Sequence, residues 1–146
     1  VIDTYNAILG AAVAVLSYIL GEHWILFALF LGLNIIDWLT GWIKAKITGS
    51  ESSKTGLIGI LKKFAYWMVV IASFSLSAAF VEVGKIIDMD LGVTTLLGWF
   101  VLASFLVNEG RSICENFVEM GVEVPKVLVK GLQVANKVVN QEDDNE

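Results

Sequence analysis

The sequence predicts an all-α integral membrane protein, with four transmembrane helices, or three if the first apolar run does not cross, and a C-terminal cytoplasmic amphipathic helix. Three observations predict it. Apolar residues make up 56% of the 146 positions and the mean hydropathy is +0.72, more than a soluble domain of this size carries. Four apolar runs, at about 5–21, 24–43, 64–81 and 91–107, have the length a spanning helix needs, and among them they hold one charged side chain, Asp37. None alternates polar and apolar residues as barrel strands do, so the backbone must satisfy itself within helices.

The first run has Asp3 and Asn6 around its start instead of basic residues, and no small-x-small pattern near Glu22 and His23. It reads as a retained helix, not a cleaved signal peptide. The second run ends in Lys44 and Lys46; with Lys54, Lys62 and Lys63 these make five of the ten basic residues, all between the second and third runs beside one acid, Glu51. The positive-inside rule places that connection in the cytoplasm. Gly21–His23 has no Lys or Arg, and 82–90 has only Lys85 among three acids, so both face outside. Alternation then puts both termini on the cytoplasmic side. Trp24, Trp42, Trp67 and Trp99 lie near run ends, where indole rings settle at the interface.

Beyond the transmembrane part, 1–108, the segment 109–140 has mixed charge. The fourth helix is expected to continue out of the membrane and stop at Gly121, and Pro125 to restart a helix in its first turn. Val124, Leu128, Gly131, Ala135 and Val138 recur at helical spacing, with Lys126, Lys130, Gln133 and Lys137 on another face. That helix suits either a lipid surface or a neighbouring subunit. The last residues, 141–146, are acidic and polar, an expected disordered tail.

Asn34, Asp37, Gly41 and Lys44 follow one another at steps of three, four and three on the second helix, with Thr40 beside them. They form one polar face. A carboxylate at the bilayer centre costs about 2.5–3.5 kcal/mol on the insertion scale, so Asp37 needs a partner or water. Lys44 lies about 10 Å further along the helix, which reduces the cost without removing it. The face reads as an assembly or pore-lining surface, against the alternative of a purely local folding role for Asp37. Stripes of small residues, Gly10, Ala14, Ser17 and Gly21 on the first helix and Ser73 and Ser77 on the third, suit close helix packing within or between subunits.

No catalytic set, cofactor site or metal site emerges. His23 is the one histidine and reads as an interfacial residue, Cys114 is the one cysteine and reads as a packing residue, and no glycine-rich phosphate loop is present. Asp37-Trp-Leu-Thr-Gly41 superficially resembles the start of a membrane phosphatidyltransferase motif, but Thr40 stands at its second acidic position and the next helix has no acid to help hold a cation. The net charge of −5 argues against nucleic acid.

Two ordered blocks, DWLTGWIKAKITGSESSKTGLIGILKKFAYW and NEGRSICENFVEMGVEVPKVLVKGL, resemble the bacteriophage holin family, which also includes holin-like proteins linked to clostridial toxin release. The resemblance covers about 34–132 and carries over Asp37, Thr40, Gly41, Ser53, Gly56, Gly59, Lys62, Lys63, Asn108, Glu109, Ser112, Glu115, Asn116, Gly121 and Pro125 as signature positions. It implies a phage lysis protein that self-associates in the host cytoplasmic membrane and opens lesions for a passenger, an endolysin or a toxin. Its partners would be other copies of itself and membrane lipids. The alternatives are an antiholin or secretion accessory that recruits a partner through 109–140, or a small-solute channel. Two departures stand out: the chain ends acidic where holins often end basic, and relatives often have fewer spans.

Overall fold

The computed structural model describes residues 2–140; the expected acidic tail, 141–146, lies outside the described residues. Five α-helices and a short 3-10 turn make up the described chain: α1 Ile2–Leu20, α2 Trp24–Thr48, α3 Ser53–Ile87, the turn Gly92–Thr95, α4 Leu96–Glu119 and α5 Lys126–Asn140. Three of them are long and apolar enough to cross a membrane: α2, α3, and the stretch Gly92–Glu119 that holds α4. In α1 the apolar stretch counted is shorter, Ile2–Val15.

The chain divides into two compact units, 1–32 and 33–146. In the first, α1 ends where Gly21 takes the left-handed conformation (φ 77°) that side chains resist, and its N–H donates to the Ser17 carbonyl at 2.9 Å. His23 lies in the short turn that follows, and α2 starts at Trp24.

In the second unit the helices outrun the apolar runs. The lysine-rich stretch read as a connection is helical except at 49–52, so Lys44 and Lys46 belong to α2 and Lys54, Lys62 and Lys63 to α3. The cause is local. Leu, Ile and Lys are good or tolerated helix residues, and Ser52 caps the start of α3, its Oγ accepting from the Thr55 N–H at 3.3 Å. At 35 residues, α3 is about 52 Å long, more than an apolar core of about 30 Å requires.

Helices α3 and α4 run antiparallel, and paired aromatic rings fix their register. Tyr66 stacks on Phe105 with centroids 4.5 Å apart, and Phe74 meets the edge of Trp99 at 4.9 Å. Gly98 lets the backbones approach. A Cβ there would stand 2.6 Å from the Phe74 ring. Gly98→Ala should therefore cost about 1–3 kcal/mol of overpacking, read as earlier unfolding in a detergent titration.

Between them, Asp88 caps α3 in the left-handed conformation and the Met89 N–H donates to the Gly84 carbonyl at 2.9 Å. Helix α4 gives way at Gly121 (φ 81°), and α5 follows Pro125. Helix α5 packs on α4, with Leu132 seated where a Cβ on Gly110 would stand 2.9 Å away.

Candidate functional site

The polar residues of α2, α3 and α4 converge inside the second unit. Asp37 is on α2, Lys63 on α3 and Glu109 on α4, and the Lys63 ammonium donates to Asp37 Oδ2 at 2.7 Å and to Glu109 Oε2. Their side chains are 14%, 16% and 2% exposed, respectively. One cation thus joins two carboxylates from different helices, away from solvent. The other Asp37 oxygen, Oδ1, accepts from Asn116 Nδ2 at 3.1 Å, and the same amide donates to Thr40 Oγ1 at 3.1 Å. The Thr40 hydroxyl in turn donates to the Asp37 backbone carbonyl at 3.1 Å. Every polar atom of Asp37 is therefore engaged within this chain.

Pairings on either side of this network show how the helices align. One turn back along α2, Asn34 Oδ1 accepts from the Trp67 indole N–H at 3.1 Å; one to two turns on, Lys44 meets Glu119 at 3.3 Å. Partners on α3 fall in number as α2 residues rise, and partners on α4 rise, so α2 runs antiparallel to α3 and parallel to α4. Gly41 lies beside the Asn116 amide, where a Cβ would stand 3.7 Å from its nitrogen, an ordinary contact distance. Asn34 is not fully satisfied: its Nδ2 is buried and finds no acceptor among the described residues.

The sequence spacing placed Lys44 nearest to Asp37; the structure gives Asp37 a different lysine, Lys63, on the next helix. Lys44 is 26% exposed and its partner Glu119 58% exposed, so their bridge is a rim contact worth about 0–1 kcal/mol. Glu119→Gln should leave the unfolding midpoint almost unmoved.

The signature positions divide into an inner and an outer set. Consecutive helical residues point about 100° apart, so in each adjacent polar pair one member turns in and the other out: Lys63 in and Lys62 exposed, Glu109 buried and Asn108 exposed. Asn116 is buried, Ser112 half-buried, and Glu115 exposed at a groove between α4 and α5. Ser53, Gly56 and Gly59 lie along the first turns of α3, outside the network, while Gly121 and Pro125 shape the α4–α5 turn. Nothing in the sequence marks Trp67 or Glu119 as a site residue. Trp67 reads there as an interfacial tryptophan, and nothing in its spacing points to Asn34.

A model of the bacteriophage holin family matches residues 14–137. The chain belongs to the bacteriophage holin family. The match is wider than the two motif blocks and reaches back into α1. Among curated relatives, an uncharacterized protein of Halalkalibacterium halodurans is 34% identical over 128 residues, 88% of each chain. A probable holin of Bacillus phage phi105 is 33% identical over 118 residues, covering 81% of this chain and 78% of its own. An uncharacterized protein of Clostridium perfringens is 31% identical over 106 residues, 72% of this chain and 70% of its own. No solved structure matches the chain. Membership of the holin family and three helices of spanning length and composition together make this a membrane protein. In this holin-family chain the ion network joins three helices through residues that all lie inside the matched region.

Proposed function

We propose that the protein is a holin: it inserts in the bacterial cytoplasmic membrane with its C-terminal segment in the cytoplasm, self-associates, and opens lesions through which an endolysin or a toxin leaves the cytoplasm. The observation that carries this reading is the gathering of polar groups into one network on helices whose outer faces are apolar. Leu29, Ile36 and Leu39 of α2 and Met68, Ile71 and Leu76 of α3 are all at least two-fifths exposed. An apolar exterior suits a lipid surround, and membrane helices associate through interior polar contacts and close packing.

In this reading the chain has two uses for the face formed by Asn34, Asp37, Thr40, Gly41 and Lys44. Within one subunit it is closed on Lys63, Trp67, Asn116 and Glu119. When subunits gather and the helices part, the same groups become an assembly face or line a water-filled opening, where water replaces the partners they lose. The unmet Asn34 amide supports this, because a second copy or water would supply the acceptor it lacks.

Regulated expression in bacteria should collapse the membrane potential and release a co-expressed endolysin. Cells that keep their potential at high expression would overturn the proposal. Asp37→Leu leaves Lys63 paired with Glu109, so the variant should insert normally yet shift the time of lysis or the size of purified oligomers; unchanged timing and size would make Asp37 a local folding residue.

A further inference from the structure

The apolar sector of α5 is wider than α4 covers. Leu132 packs toward α4 at Gly110, but Val127, Val134 and Val138, spaced seven and four apart and so on one face, are 82%, 62% and 67% exposed. Leu128 beside them is 48% exposed. Lys126, Lys130 and Lys137 are exposed along one flank of this stripe. An apolar stripe edged by lysines matches the boundary of a bilayer, where alkyl groups enter the headgroup layer and ammonium groups meet lipid phosphates.

The position of α5 agrees with that occupant. It meets α4 at Gly110, about one helical turn past Val107, where the fourth apolar run ends. We propose that α5 docks on the anionic headgroup surface of the membrane, with Val127, Val134 and Val138 as the inserted face and Lys126 and Lys130 as the charge contacts. This rests on the reading of α2, α3 and α4 as membrane-spanning. Docking would fix the angle at which α4 leaves the bilayer and make assembly sensitive to lipid charge.

The test uses the full-length chain with Cys114→Ser, carrying an environment-sensitive fluorophore at Val134→Cys or, as a reference, at Ile71→Cys on the exposed face of α3. Each is reconstituted in vesicles of phosphatidylcholine alone or mixed with phosphatidylglycerol. The probe at 134 should be quenched by spin-labelled headgroups in the mixed vesicles, and each of Lys126→Gln and Lys130→Gln should lower the docked-to-free ratio about fivefold. The proposal is overturned if the probe at 134 stays open to aqueous iodide in mixed vesicles. It is equally overturned if shielding there follows the protein-to-lipid ratio instead of lipid charge, which would mean that a second copy covers the stripe. The probe at 71 should be quenched by chain-labelled lipid in both vesicles; silence there overturns the spanning reading and the α5 proposal together, while quenching at 71 without protection at 134 overturns only the latter.

Discussion

Lys63→Met should destabilise the folded bundle by about 3–5 kcal/mol, the usual consequence of leaving buried charge without its partner. Lys63 is the sole cation in contact with both Asp37 and Glu109 among the described residues, and Glu109 is 2% exposed. Methionine keeps most of the aliphatic stem while removing the ammonium, so packing loss is small and the effect reports the charge. Asp37→Leu and Glu109→Leu should each cost less, because Lys63 retains one carboxylate. The order of the three midpoints in a detergent unfolding titration checks this. A Lys63→Met protein as stable as the parent would show that the ion network does not hold α2, α3 and α4 together.

Replacing the three charged members of the network by apolar residues, Asp37→Leu with Lys63→Met and Glu109→Leu, should restore the stability that Lys63→Met loses. Substituting a buried ion cluster as a unit is often neutral or stabilising by about 1–4 kcal/mol, since the desolvation of every member is recovered. The same protein should be defective in lysis. It has lost the groups that, in the proposed function, make the separated helices tolerable to water. The paired measurement is unfolding midpoint against the time of membrane-potential collapse after induction. Normal lysis by the apolar triple variant would confine the network to folding and remove it from the opened state.

These two experiments separate stability from function because the network stands at the meeting of three helices. A bridge at the rim such as Lys44–Glu119, with Glu119 more than half exposed, keeps water as an alternative partner for both ions. Water is a poor alternative for Glu109.

Part of this organisation is legible along the chain. The all-helical class follows from unbroken apolar runs, because a backbone in lipid has to satisfy its own hydrogen bonds, and the holin family follows from two ordered motif blocks. The polar face of α2 is also visible, because helical periodicity relates Asn34, Asp37, Gly41 and Lys44 without knowledge of any other helix. That periodicity is a property of one helix. It says nothing of what lies opposite, and on spacing alone Lys44 is the nearest lysine to Asp37.

Tertiary structure decided the partners. The bond that joins Lys63 to Glu109 spans 46 residues of sequence and the one that joins Asn116 to Asp37 spans 79. Which of two adjacent residues turns inward, Lys63 or Lys62, Glu109 or Asn108, depends on the rotation of each helix about its axis. Packing sets that rotation, through Tyr66 against Phe105 and Gly98 against Phe74. The sequence by itself determined that this is a helical membrane protein of the holin family with a charge that needs a partner; only the packing of three helices decided that the partner is Lys63.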